Sequence, residues 1–505
     1  MSTLVARNGQ ALDRGAIPSL TLGDFRSLVI SAPSEHRRIA ALFGLPGRGG
    51  TVELVAVLAE DEHGILHLAS TELEGDTYPA LTPLCTQAHL FEREIAEQWG
   101  VRPEGHPWLK PVRFTRSRRP GHDAWGRPED HELVVGVTDF YRVDGEEIHE
   151  VAVGPVHAGV IEPGHFRFQC HGEHVFHLEI SLGYQHRGVE RALEGGPHKR
   201  TIHYVETLSG DTTIGHATAY CQIAEALAGC RVSARAHALR AIALELERMA
   251  NHTGGLGALA GDVGFLPTAA YCGRLRGDFL NLSAELCGSR FGRGLVRPGG
   301  VGFDVDSDQT KQLAARLDAA VRDVDSAVAL MMEAPSVQAR FEDTGRVDPN
   351  LAADLGLVGV AARASGLPRD VRHDFPSGVF RFSQIPVSVW DSGDVFARAH
   401  VRWKEVQRSA VFVREQLHAL PRGATRAPCG PLRPSAVCVA LAEGWRGEIV
   451  HVALTGEDGK FAAYKVVDPS FHNWSGVAVA LRDQQISDFP LCNKSFDLSY
   501  CGHDL

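Results

Sequence analysis

Two short runs carry the side chains best suited to chemistry. Glu206-Thr-Leu-Ser-Gly-Asp-Thr-Thr-Ile-Gly-His216 sets the hydroxyls of Ser209 and Thr212 around the carboxylate of Asp211 and ends on the imidazole of His216. The last residues, Asp497-Leu-Ser-Tyr-Cys-Gly-His-Asp-Leu505, add Ser499, Cys501 and His503. Hydroxyls, carboxylates and imidazoles carry protons and hold polar ligands, whereas neutral hydroxyls are poor ligands for soft, redox-active metals. Asp211 is therefore either a proton carrier or a hydrogen-bonded structural acid. A third polar stretch, Gly154-Pro-Val-His-Ala-Gly-Val-Ile-Glu-Pro-Gly164, offers His157 and Glu162. His171, His174 and His177 invite a zinc site, but on a strand residues 174 and 177 point to opposite faces, and two ligands do not make a site. They are expected to be ordinary surface histidines, and no metal is assigned to them.

Composition narrows the classes. The chain has 505 residues, 44% apolar and 22% charged, enough for two or three domains with a large core. A net charge of -11 argues against nucleic-acid binding by overall charge. The one dense basic group, Arg113, Arg116, Arg118 and Arg119, is expected to be a solvated linker face. No run of 18 apolar residues occurs, and no secretory signal core is present at the start, so a cytoplasmic chain is expected, with membrane contact only through partners. None of the ten cysteines is spaced as C-x-x-C, so they are expected as buried, small apolar residues rather than ligands of a cluster held by this chain alone. No glycine-rich nucleotide motif sits in a strand–turn–helix setting.

The elements that would position these groups follow from periodicity. Thr51–Ala59 and Gly64–Ala69 are expected as strands about an Asp-Glu-His-Gly turn, and Leu90–Gly100 as a helix stopped by glycine. Together they make a small α+β unit at residues 1–114, followed by a polar, Pro- and Gly-containing linker at 115–132. From 133 to 505 the expected order is a hairpin at 166–180, a helix from Ile214 to Ala228, a second helix capped by Ser233 with Leu239, Ile242, Leu246 and Met249 on one stripe, long helices at 311–332 and 394–420, and a hairpin from Arg446 to Lys465. The fold class is α+β: a small N-terminal α+β domain, then a mostly helical domain with peripheral antiparallel strands.

The order of short motifs resembles a known family. Glu92-Arg-Glu94 with Gly105-His-Pro107 is similar to the signature of the 30-kDa-type subunit of complex I, although Glu-Arg-Glu taken alone would be a solvated helix face. Gly154-Pro-Val-His157, Gly183-Tyr-Gln-His-Arg-Gly-Val-Glu190, Glu245-Leu-Glu-Arg-Met-Ala-Asn-His252, Arg297-Pro-Gly-Gly-Val301 and Arg446-Gly-Glu448 resemble, in order, the 49-kDa-type subunit of complex I and the large subunit of membrane-bound, energy-converting NiFe hydrogenases. The chain thus looks like a fusion of the small and large subunits, of formate-hydrogenlyase type.

That resemblance implies a site. NiFe large subunits hold their metals with four thiolates in two C-x-x-C pairs. Anchored on Glu206 and His216, the first pair falls on Ser209 and Thr212; anchored on Asp497, the second falls on Ser499 and Gly502. No NiFe centre is expected. The tyrosine that binds the quinone head group in complex I falls on Gly210, so quinone is possible but has no support from that position. The Gly154–Arg167 loop is hydrogenase-like, with Glu162 at the position that relays protons. The resemblance leaves a polar pocket of Glu162, Ser209, Asp211, Thr212 and His216, with His157 and His503 as further candidates.

The implied function is a peripheral subunit, on the cytoplasmic side of the membrane, of a complex-I-like, hydrogenase-related assembly that couples electron transfer to ion translocation. The implied partners are an iron–sulfur subunit and antiporter-like membrane subunits. The alternatives are a quinone-site subunit of NADH:quinone oxidoreductase type, a genuine NiFe hydrogenase, and a non-catalytic assembly scaffold.

Overall fold

The computed structural model describes residues 2–157 and 161–505, so part of the Gly154–Gly164 loop lies outside the described residues. The first sheet has four antiparallel strands in the order Leu4–Ala6, Ile65–Leu73, Val52–Glu60, Arg37–Pro46. The hairpin expected around Asp-Glu-His-Gly is present, with a short 3-10 turn at Asp61–His63. The helix His89–Trp99 packs on this sheet and ends at Gly100, whose φ of +65° is a conformation that glycine adopts freely.

A second sheet runs Phe461–Val467, Glu448–Thr455, Ala436–Glu443, Gln10–Asp13. Its last strand comes from the N-terminus, pairing Asp13 with Ala436 and Gln10 with Val439. Strand alternation explains its place in the molecule. Val437, Val439 and Leu441 join the core of the N-terminal sheet, while Cys438 and Ala440 join the core of the helical region. A strand covered on both faces is apolar throughout, as Ala436-Val-Cys-Val-Ala-Leu-Ala442 is.

The helical region is built on Ala234–Asp262, flanked by Leu266–Cys287, Ser307–Met332 and Val395–His418. Side chains cap these helices: Ser233, as expected, accepts from the Ala236 N–H, while Asp306, in a capping box with Gln309, starts its helix at Ser307 and not at 311, and Asp394 accepts from the Ala397 N–H. The Ala234–Asp262 helix is buried around most of its circumference, not along one stripe, because three long helices and a sheet surround it. No helix among the described residues is long and apolar enough to cross a membrane.

Two expectations about charge are corrected. Glu92 and Glu94 are not on a solvated face; both are at most 1% exposed, and Glu97, one turn on, is 2% exposed. Glu92 accepts from the Leu81 and Thr82 N–H groups (2.8 and 2.9 Å), and Glu97 from Arg113 and Thr115 (2.9 and 3.1 Å). Arg113 is not part of a solvated linker face either. It is buried, paired with Glu94, and donates to the His503 carbonyl at 3.0 Å. Lys465 completes the cluster, 2.7 Å from Glu94 and 2.9 Å from Glu190. Groups spread from residue 94 to 503 satisfy one another here, and a buried charge survives only when it is paired.

His177 is corrected as well. Its ring packs against Trp108 and Tyr141, with centroids 5.5 and 4.8 Å away, and its Nε2 is buried. His171 bonds to Glu147 at 2.7 Å and sits opposite the exposed His174 in the hairpin. Seven of the ten cysteines are buried.

Candidate functional site

The Glu206–His216 run is held from several sides before it reaches any site. Glu206 accepts from the Gly294 N–H and from Arg297, each at 2.7 Å. Arg187 donates to the Thr207 and Leu208 carbonyls (2.7 and 2.9 Å). The helix Thr213–Leu227 then begins, and Glu247 accepts from its first free N–H groups, Ile214 at 2.7 Å and Gly215 at 3.2 Å. Burial outweighs these bonds and pushes the Glu247 carboxyl up to about 8.

The C-terminal run forms a single turn, Tyr500–His503. Ser499 caps it by accepting from the Gly502 N–H at 2.9 Å, and its own N–H donates to Ser470 Oγ at 2.9 Å. The two runs meet. Ser209 Oγ donates to Ser499 Oγ at 2.9 Å, Thr212 Oγ1 is 3.5 Å from Ser209 Oγ, and Gly502 stands one turn along from Ser499. A Cβ on Gly502 would lie 2.6 Å from the carboxyl carbon of Asp468, so that carboxylate fills the space a side chain would need.

Arg446 joins the runs. It grips Asp211 with two parallel bonds (2.6 and 2.8 Å), reaches Thr212 Oγ1 at 3.3 Å, and donates through Nε to the Asp497 carbonyl. Its guanidinium lies 3.8 Å above the Trp445 ring centroid. The Trp445 and Asn251 side chains donate to the Asp211 carbonyl (3.0 and 2.9 Å). Burial raises the Asp211 carboxyl, but the Arg446 guanidinium outweighs it and holds the group below the usual carboxylate range. Asp211 is thus a carboxylate anchored by Arg446.

His216 lies on the other side of the meeting point. Its Nε2 is 3.1 Å from Asp468 Oδ2, and its Nδ1 is 3.1 Å from His451 Nε2, whose Nδ1 reaches the Tyr464 hydroxyl at 2.8 Å. Burial raises the Asp468 carboxyl, but the hydrogen bond and charge of His216 bring it below its ordinary value. Burial, with His216 beside it, pushes His451 well below. This is a closed, fully buried polar chain.

A cleft of about 420 Å³ opens the site to solvent, lined in part by Glu162, Gly210, Asp211, Arg446, Ser499 and Cys501. Glu162 Oε2 accepts from the Tyr500 N–H at 3.1 Å. Burial and the nearby Glu162 push the Cys501 thiol up to about 11. A Cβ on Gly210 would meet nothing within 4 Å. Of the remaining candidates, His157 bonds back to the Gly164 carbonyl at 3.0 Å. His503 turns to Asp504 at 2.9 Å and packs on Phe471. Neither reaches the meeting point.

The residues present do not fit a NiFe centre. The four ligand positions supply three hydroxyls and a glycine, the glycine is blocked by Asp468, and the one thiol lining the cleft among the described residues, Cys501, is hydrogen-bonded to Ser499 at 3.3 Å. Sequence reasoning did not single out Arg446, Asp468, His451 or Glu247. Arg446 and Glu247 lay inside quoted motifs, and the mark of Arg446 was a charged residue between Trp445 and Gly447 at the start of an apolar strand.

Comparison with known proteins brings out the relationship. Residues 262–432 match the family model for the 49 Kd subunit of respiratory-chain NADH dehydrogenase, and residues 34–125 match the model for its 30 Kd subunit. Neither stretch includes residues 206–216 or 497–505. Formate hydrogenlyase subunit 5 of Escherichia coli is 30% identical over 85% of this chain and 77% of its own. The carbon monoxide-induced hydrogenase of Rhodospirillum rubrum is 31% identical over 69% of this chain and 97% of its own. NADH-quinone oxidoreductase subunit 4 of Thermus thermophilus is 29% identical over 70% of this chain and 92% of its own.

Proposed function

Because the chain belongs to the family that joins the 30-kDa-type and 49-kDa-type subunits of complex I with the large subunits of membrane-bound hydrogenases, we propose that it is a peripheral redox subunit of a complex-I-like, hydrogenase-related membrane complex coupling electron transfer to ion translocation, and that it holds no NiFe centre of its own. One observation carries the second half. The positions that the resemblance assigns to the metal ligands are Ser209, Thr212, Ser499 and Gly502, which lie together with the Asp468 carboxylate in the space beside Gly502.

The proposed partners are an iron–sulfur subunit beside the cleft and antiporter-type membrane subunits. Membrane contact runs through these partners, on the cytoplasmic side. Glu162 is the proposed group to pass protons between solvent and the pocket, a reading supported by its position at the cleft wall and its bond to the C-terminal turn.

Metal analysis of the complex as purified tests the proposal. Nickel is expected to be absent at stoichiometric level, and hydrogen uptake with a dye acceptor is expected to be nil; one nickel per chain overturns it. A quinone-site role is the second reading, favoured by the open space at Gly210 on the cleft wall. Quinone-dependent turnover abolished by Gly210→Phe would put it first.

A further inference from the structure

The interior of the Ala234–Asp262 helix carries two consecutive glycines, Gly254 and Gly255. Glycine is among the poorest residues for a helix interior, so the pair needs a reason. A Cβ on Gly254 would lie 2.8 Å from Arg276 Cδ, and a Cβ on Gly255 would lie 2.8 Å from Asp497 Oδ2. The two glycines thus make room for one basic and one acidic side chain, and both of these line the cleft beside Asp211, Arg446 and Ser499.

The charges of this cleft are not equally committed. Arg446 is bound to Asp211, Lys494 to Asp262, and Glu162 Oε2 to the Tyr500 N–H. Arg276 has no hydrogen-bond or ion-pair partner among the described residues, and its Nε is buried without one. The Asp497 side chain accepts no hydrogen bond among the described residues either, and burial raises its carboxyl. The helix leaves space for a guanidinium, and no side chain of the cleft bonds to it among the described residues, although the Asp497 carboxyl lies within electrostatic range. Guanidinium groups pair in plane with carboxylates and similar oxyanions.

We propose that the cleft is a binding site for a small oxyanion, a carboxylate in the simplest case, held by the guanidinium of Arg276, whose stem packs against Gly254. The proposal rests on the cleft being a ligand site and not a metal centre. Glu162 and Asp497 line the same cleft and set its size and polarity.

Cys501 lines the same cleft and serves as an internal reporter. In the complex as purified, alkylation of Cys501 by iodoacetate and by neutral iodoacetamide is followed by peptide mass mapping, with Cys230 and Cys429 as controls outside the cleft. The ratio of the iodoacetate rate to the iodoacetamide rate at Cys501 is expected to fall about fivefold in Arg276→Gln, the effect of losing one nearby charge, and to stay near wild type in Arg276→Lys. Formate or acetate is expected to slow labelling of Cys501 in the wild type but not in Arg276→Gln. An unchanged ratio in Arg276→Gln, or no protection of the wild type by either anion, overturns the proposal. The protection arm needs no variant and stands if Arg276→Gln does not fold. Stoichiometric nickel in the same sample would instead overturn the functional proposal above, so the two failures are told apart.

Discussion

Ser209 Oγ and Ser499 Oγ lie 2.9 Å apart across 290 residues of chain. Each stands at a position that the resemblance assigns to a metal-binding thiolate, and here the two share a hydrogen bond. Arg446 ties both runs together by gripping Asp211 and the Asp497 carbonyl. The meeting point of the two runs is held by neutral hydroxyls and one ion pair.

That ion pair anchors the site. Arg446→Met leaves Asp211 without its cation while Trp445 and Asn251 still hold its carbonyl. A loss of about 3 kcal/mol is expected, at the low end for a broken buried pair because the Asp211 side chain is partly exposed. Chemical denaturation of the variant measures it. The double variant Arg446→Met/Asp211→Asn is expected to recover part of the loss, and no recovery would show that the pair does not act as a unit.

Gly502 accepts no side chain. Gly502→Ala drives a methyl into the Asp468 carboxylate, which is itself fixed by His216 and the Ser470 N–H. Overpacking of this kind costs about 1–3 kcal/mol. Thermal unfolding should show it, and a variant as stable as wild type would mean that Asp468 can move.

Glu162→Gln keeps an acceptor for the Tyr500 N–H and removes the proton. Ion-coupled turnover of the complex is expected to fall by about 10²-fold or more, the contribution typical of a positioned proton-transfer group, with assembly unchanged. Turnover equal to wild type removes Glu162 from the proton path.

Glu247 makes stability depend on pH. Its folded pKa is raised from 4.5 to about 8, so the native state keeps a proton that the unfolded chain has lost. Stability from this group is therefore highest at low pH and declines as pH rises from about 4.5 to about 8, by up to about 1.4 kcal/mol per pH unit. Asp211 and Asp468, with lowered values, act in the opposite sense and lose their contribution as pH falls. Denaturation midpoints of wild type and Glu247→Gln across this window should differ in slope, with the variant flatter. Equal slopes would place the proton on another group.

The sequence by itself determined the local structure and the family. Ser233 announced its helix because capping is a contact within one turn. The hairpins were legible from strand alternation and turn residues, and the order of motifs from Glu92 to Arg446 marked the relationship. The residues at the positions that the resemblance assigns to metal ligands, Ser209, Thr212, Ser499 and Gly502, can be read off directly. Only the tertiary structure decided what those positions do. The partner of Asp211 lies 235 residues away, and the carboxylate against Gly502 belongs to a strand–helix junction that no local pattern links to it. Burial of charge was illegible for the same reason: Glu94 and Arg113 looked solvated because their own neighbours are polar, and they are buried because Lys465, Glu190 and the His503 carbonyl arrive from distant parts of the chain to satisfy them.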